Sequence, residues 1–575
     1  MKRVCLALLV LSAIHSFYCN TYGKDKITLI FEIIDERSDT TVEKYSVADS
    51  SLVQRSINER LHQFYFDGFL AATILKIATV ENNTICTVYK GEIYNLKHLS
   101  TGNIDKELLK RFGLSSDEKE RSFQIQYLEE TFRKVLNYSE NTGYPFATVK
   151  LDSINITGNE ISASINWWRG PLMTYDSLAI DGRIKLKRNW LQNYLNIIPG
   201  ERFDQSTIDL IEEKIGELSF LELESEPEVN FYSNKARIRV NVRERKVNNV
   251  DGILGVFPNS RDGSKVLITG SLNLHLYNLF SSAKQLHLDW QKVNVNSQTL
   301  DASFYYPRFL TMPLGVNVDF NLLKEDTIYL DRNTTLAIDF KPGPGQIIAF
   351  KSQFESSNLL SDNTSELTNN QFNDYNLVYY GLTYGINRLD DFWYPQRGWK
   401  GNISGFVGQK KSNLPITESS SPNDLEEIKS TQYKIMANFE KYITLHRGYV
   451  LKLRLRSGNL FGSNIFVNDL FRIGGLKTIR GFNENYFFVS DYMIGNVEFR
   501  LMNNSDTYFF AFFDQGIVNS TIDDQETDFP FGTGLGMNLG TNSGIFSFVL
   551  AIGKSQTQIF SLNSAKIHFG YTGRF

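Results

Sequence analysis

Three charged residues late in the chain have types and spacing that could act together: Arg480, Glu498 and Asp514. Arg480 stands in Gly474-Gly475-Leu476-Lys477-Thr478-Ile479-Arg480-Gly481-Phe482. Glycines permit tight, positive-φ backbone, and the guanidinium offers five donors in a fixed fork that suits carboxylates. An arginine between Ile479 and Gly481-Phe482 does not suit a lipid-facing strand, so the stretch reads as a loop that folds inward. Around Glu498, Val497, Phe499 and Leu501 alternate with Asn496, Glu498 and Arg500, and period two sends the second set to a polar face. Asp514 falls on the next strand, near its end, in Phe512-Phe513-Asp514-Gln515-Gly516. The chemistry these residues offer is ion pairing, with Arg480 against one or both carboxylates. Breaking a buried pair of this kind typically costs about 3–5 kcal/mol. The plainer alternative is a turn with a solvated arginine and two solvated carboxylates.

Bond-making chemistry has no comparable signal. The chain lacks Gly-x-Ser-x-Gly, zinc spacing and a phosphate-binding glycine loop, and none of its seven histidines forms His-x-x-x-His. We expect no enzyme, no cofactor and no metal. A net charge of −4 over 575 residues argues against nucleic acid as a partner.

The elements that must carry the three residues are strands. From about Asn248 onward the pattern alternates: Leu272, Leu274 and Leu276 with Ser271, Asn273 and His275, and Val316, Val318, Phe320 and Leu322 with Asn317, Asp319 and Asn321. Leu286, Leu288 and Trp290 alternate with Gln285, His287 and Asp289, and Leu451, Leu453 and Leu455 with Lys452, Arg454 and Arg456. Three leucines opposite three cations suit a strand with lipid on one side and water on the other. About 325 residues remain from Val250 to Phe575. That is room for about 16 antiparallel membrane strands at roughly 20 residues each. Ser361 to Asp374 and Lys410 to Thr431 are polar and are expected to be external loops.

The N-terminal part differs. Residues 1–19, with Lys2 and Arg3 before the apolar run Val4 to Ile14, have the layout of a secretory signal peptide. Its removal leaves Cys86 as the only cysteine. From Ile27 to Arg245 a mixed α/β layout recurs about every 75 residues, giving three modules at 26–93, 94–172 and 173–246, each expected to place two helices on a short sheet. In the first, Ile27–Ile34, Gly68 to Ile74 and Thr84–Tyr89 read as strand or turn into strand around a helix at Ser51–Phe66. The second has helices at Ile104–Phe112 and Phe123–Tyr138, and the third at Arg188–Leu195 and Gln205–Leu218. A glycine-aromatic turn follows the helix in the first two modules, as Gly68-Phe69 and Gly143-Tyr144.

That turn resembles the POTRA module of outer-membrane assembly proteins. The whole mature chain resembles the BamA/TamA superfamily, closest in layout to TamA: POTRA-like repeats, then a transmembrane barrel at 247–575. Ile479-Arg480-Gly481-Phe482 is similar to the family's inward-loop motif, and Phe512-Phe513-Asp514-Gln515-Gly516 to its strand motif of Phe, Asp and Gly at alternate positions. Glu498 stands where the family places a glutamate. His568, Gly570 and terminal Phe575 resemble the C-terminal barrel signal, from which Gly573 departs. The resemblance implies a bacterial outer-membrane protein with periplasmic N-terminal domains. It implies an insertase or translocation factor for unfolded outer-membrane or secreted clients, working in outer-membrane lipid with accessory periplasmic or lipoprotein partners. A two-partner-secretion transporter exporting through the lumen is the alternative within the superfamily, and a passive porin the alternative outside it.

Overall fold

The computed structural model describes residues 27–47, 50–80, 83–112, 121–122, 125–258, 266–292, 297–309, 312–360, 372–415, 425–522, 527–541 and 543–574. The expected signal peptide, Phe123, and Phe575 of the C-terminal signal lie outside these residues. The chain divides into two compact units, 1–174 with 202–205 and 233–235, and 175–201 with 206–232 and 236–575.

The first unit repeats one sheet design. Ile27–Ile34 pairs antiparallel with Thr40–Val47 and parallel with Asn83–Tyr89, which carries Thr73–Val80 on its other edge. In the second sheet Asn95–Ser100 pairs antiparallel with Arg121–Ser122 and parallel with Glu160–Trp168, which carries Thr148–Thr157. Period-two placement puts Leu29, Phe31 and Ile33 on one face, against Ile57 and Phe64 of the helix Ser50–Phe66 and buried Cys86. In the second sheet Ile165 and Trp167 pack on Val135 of the helix Ile125–Glu140. The first module's expected second helix is not among its described elements. The strand Thr40–Val47 escapes a pattern search because it is an edge strand exposed along most of its length, with no apolar alternation to read.

Both glycine-aromatic turns end a helix in the same way. Gly68 and Gly143 have φ of 93° and 100°. The next amide donates back five residues, Phe69 to the Phe64 carbonyl (2.9 Å) and Tyr144 to the Ser139 carbonyl (2.8 Å). This is the left-handed cap that glycine adopts without steric penalty.

The third module opens with Thr174–Asp181, almost all of it in the second unit, and the helix Arg188–Leu195. The expected helix over Gln205–Leu218 is divided into Gln205–Asp209 and Ile211–Gly216, because Leu210 between them has ψ of −5°. A sheet in which Lys235–Glu244 pairs with Leu221–Leu223, Glu228–Tyr232 and Thr174–Asp181 completes the module. It is bound to one end of a barrel by ion pairs from Glu217 to Lys341 (2.9 Å), Arg245 to Asp391 (3.2 Å) and Glu213 to Arg388.

The barrel is closed and has 16 antiparallel strands, from Asn249–Pro258 to Lys566–Arg574. Its alternation is that of a membrane barrel. On Asp491–Met502, Val497, Phe499 and Leu501 point out and are 43–45 % exposed, while Asn496, Glu498 and Arg500 are buried. The expected loop Lys410–Thr431 is corrected: strand structure continues to Pro415 and resumes at Leu425, pairing residue for residue from Gly398↔Tyr442 to Pro415↔Leu425. Cross-strand pairing in this long hairpin overrides its polar composition. One closure is much weaker than the rest. Among the described residues the last strand meets the first only at Asn249↔Arg574 and Val250↔Gly573, whereas Asn249–Pro258 pairs along its full length with Val266–Leu279.

Candidate functional site

The loop that holds Arg480 joins Tyr449–Gly462 to Asp491–Met502 and turns into the barrel. The short strands Phe471–Ile473 and Phe487–Val489 pair at its base. Beyond them Gly474, Gly475 and Gly481 take φ of 126°, 87° and 93°. A Cβ on Gly475 would collide with the Glu484 carboxylate, and one on Gly481 with the backbone of Ile552 and Gly553. Thr478 staples the turn: its hydroxyl accepts from the Gly474 amide (2.7 Å) and donates to the Gly474 carbonyl (2.8 Å). Ile479 and Phe482 are fully buried, in a cluster with Ile473, Phe487, Val489, Ile494 and Val518.

Between those two apolar anchors lies Arg480. Its Nε and backbone amide donate to Asp514 Oδ2 (2.8 and 3.0 Å), and its Nη2 to Asp514 Oδ1 (2.7 Å). Nη1 donates to Glu498 Oε2 (2.9 Å), and the other Glu498 oxygen accepts from Arg500 Nε (2.7 Å). The guanidinium stacks 3.6 Å from the centroid of the Phe512 ring. The three charged side chains of Arg480, Glu498 and Asp514 are 10 %, 7 % and 0 % exposed. Desolvation makes an unpaired member costly, and the fork-to-carboxylate geometry compensates it. Asp514 sits midway along Tyr508–Asn519 rather than near its end, level with Asn496 on the neighbouring strand.

Gly516 lies under Ile479, and a Cβ there would press on that side chain. Two glycines that motif reading does not single out have the same task. A Cβ on Gly532 would fall on the Arg480 carbonyl, and one on Gly553 on the Phe482 ring. A signal for the first exists in the sequence: Gly532, Gly534 and Gly536 recur at period two, marking a strand face that something approaches closely. His568 and Gly570 lie on the last strand opposite Val549 and Ser547, far in sequence from this cluster and bonded to none of it. The pairs Gly68-Phe69 and Gly143-Tyr144 belong to the first unit, as described above. Among the described residues no group of three His, Cys, Asp or Glu side chains is placed to hold a metal ion.

The loop is also held upstream. Lys410 and Asp469 form an ion pair with side chains 0 % and 2 % exposed. Asn468 Nδ2 donates to Ser357 Oγ (2.7 Å), and Arg472 pairs with Asp331 (2.8 Å). Nothing in the sequence pattern links these residues, because they come from three strands and the loop.

Comparison with known proteins bears on the fold and the family. Among curated proteins no sequence match is found. CdiB from Escherichia coli is similar in structure, with a TM-score of 0.53 at 12 % identity over 91 % of this chain and 97 % of that one. BamA from Haemophilus ducreyi lacking POTRA domains 1-3 aligns with a TM-score of 0.43 at 15 % identity, over 84 % of this chain and 100 % of that one. The model of the Omp85 superfamily domain matches residues 278–575. With its closed 16-strand barrel preceded by α+β modules, the chain belongs to the Omp85 superfamily.

Proposed function

We propose that this protein is an outer-membrane assembly factor that takes up unfolded client and passes it into the bilayer. The observation that carries this reading is the seam, where two residue pairs close a barrel whose other strands pair along most of their length. Unpaired backbone in lipid is expensive, so a short seam is a place where a client strand can be accepted. The driving force is then the client's own burial of apolar surface and backbone pairing. The modules at 26–93, 94–172 and 173–246 are read as periplasmic POTRA domains. The first two are supported by the repeated sheet order, the repeated glycine cap and the free edges of Thr40–Val47 and Thr148–Thr157, which can add a client strand, and the third by its helices packed with a short sheet. Arg480 is read as the lock of the inward loop. Arg480 bonds to the strands Asp491–Met502 and Tyr508–Asn519, and Gly481 and Phe482 beside it seat against Gly553, all before the last strand.

The test is assembly of an unfolded outer-membrane barrel into liposomes containing this protein, scored by protease protection. Acceleration by the intact protein, lost with Arg480→Ala and with deletion of Ile27 to Arg245, is the expected result. No acceleration with steady ion conductance would replace this reading by export of a partner protein through the lumen, or by a passive pore.

A further inference from the structure

The turn between the last two strands, Gly544–Lys554 and Lys566–Arg574, has a composition unlike a solvated loop. From Ser555 to Ala565 it contains no charged residue, and a lysine stands at each end. Ile559 and Leu562 are 80 % and 81 % exposed, among the most exposed large apolar side chains of the molecule. The turn is nevertheless ordered from within. Ser561 accepts from the Asn563 amide, Ser564 donates to the Ser561 carbonyl (2.8 Å), and Ser555 accepts from the Gln558 amide (3.0 Å).

Its two sides face different surroundings. Inward, Gln558 Nε2 donates to the carbonyls of Gly481 (2.9 Å) and Gly553 (3.0 Å), and the Thr557 hydroxyl meets that of Tyr486 (3.1 Å). Outward, Phe560 continues an aromatic series along the barrel wall. Its ring centroid is 5.8 Å from that of Phe531, which is 6.0 Å from that of Phe513, a residue of the outward face. Ile567 and Phe569, both 67 % exposed, extend the same apolar surface along the last strand. That strand is the one closed to the first by two pairs at its opposite end.

We propose that the turn Ser555–Ala565 is a lipid-contacting anchor, with Ile559, Phe560 and Leu562 seated among acyl chains beside the seam and Lys554, paired with Phe531 on the outward face, reaching the headgroup phosphates. Continuity with the lipid-facing aromatic wall selects lipid as the occupant. Aromatic and lysine residues at the rim of an apolar band match what membrane interfaces favour. Through Gln558 the anchor is hydrogen-bonded to the residue that follows Arg480, so lipid at the seam and the loop in the lumen share one turn. This inference needs only a membrane-embedded barrel and does not depend on the assembly reading.

The experiment places an environment-sensitive fluorophore at Leu562→Cys in the full chain reconstituted in phosphatidylcholine–phosphatidylglycerol vesicles, with Glu228→Cys as the water-exposed reference. Buried Cys86 is monitored by labelling the unsubstituted protein. The expected result is a blue-shifted emission at 562, quenched several-fold more by acyl-chain nitroxide lipids than by aqueous iodide. The opposite preference, matching the label at 228, overturns the proposal. A blue shift that appears only after unfolded client is added overturns it as well, and assigns the turn to client contact. Heat-modifiable gel migration of each labelled protein verifies that the barrel has folded.

Discussion

Two halves of one loop are held inside the same barrel by different chemistry. Downstream, Arg480 spends its donors on two carboxylates, and both oxygens of Asp514 are engaged. Upstream, Lys410 is a point charge. It has one carboxylate, the Asn464 carbonyl (3.0 Å) and the faces of Tyr375 and Phe466 at 4.3 and 4.2 Å, while Asp469 Oδ1 is buried without a hydrogen-bond partner. The difference teaches how burial and valence combine. A planar fork fixes direction and satisfies several carboxylate oxygens, whereas the buried ammonium relies on the faces of two rings, one carboxylate oxygen and one carbonyl.

Substitutions that separate the two sites should differ most at Arg480. Arg480→Ala strands the buried Asp514 carboxylate and leaves Glu498 with Arg500 as its remaining side-chain partner. We expect a loss of about 3–5 kcal/mol, seen as a lower temperature for the folded-to-unfolded shift on heated gels, with Arg480→Lys recovering only part of it. Lys410→Met strands one carboxylate and should fall at about 3 kcal/mol, the lower end of that range. Adding Asp469→Leu should bring the double variant to within about 1 kcal/mol of the parent, since an apolar pair can replace a buried ion pair. A double variant as weak as the single one would mean that the two sites do not differ in this way. Gly532→Ala tests how tightly the Arg480 backbone is seated. It should lose about 1–3 kcal/mol by overpacking, with the ion pairs untouched.

The smallest effect is expected at an exposed control on the third module. Hydrogen bonds from Tyr232 and Ser177, with Arg237 beside it, hold the Asp176 carboxyl at about 2 against an ordinary 3.8. A depressed folded-state value contributes stability above pH 4 that is lost as the pH falls toward 2. Arg237→Ala should therefore lower the stability of this module slightly at neutral pH, with the difference from the parent vanishing as the pH falls toward 2.

Sequence periodicity is informative wherever lipid meets one face of a strand, and the strand number follows from length because each crossing has a fixed span. It places Glu498 on the inward face for the same reason, whereas Asp514 follows the unbroken apolar run Tyr508–Phe513 and is marked by its motif instead. The Arg480 stretch is readable because its glycines and arginine are contiguous. The upstream ion pair is not, because Lys410, Asp469, Ser357 and Asp331 meet only after the barrel has closed. Thr40–Val47 and the long hairpin of Gly398–Pro415 with Leu425–His446 were hidden for a related reason. In Thr40–Val47 and in the polar end of the hairpin, Lys410–Pro415 with Leu425–Ser430, the pairing comes from neighbours and not from an apolar pattern.

The seam is tested most directly by tethering it. Val250 and Gly573 are paired neighbours, and Val250→Cys with Gly573→Cys allows a reversible disulfide across the closure. Liposome assembly of an unfolded barrel should stop when the tether is oxidised and return on reduction, with ion conductance through the lumen the same in both states. Undiminished assembly with the seam oxidised would contradict the account.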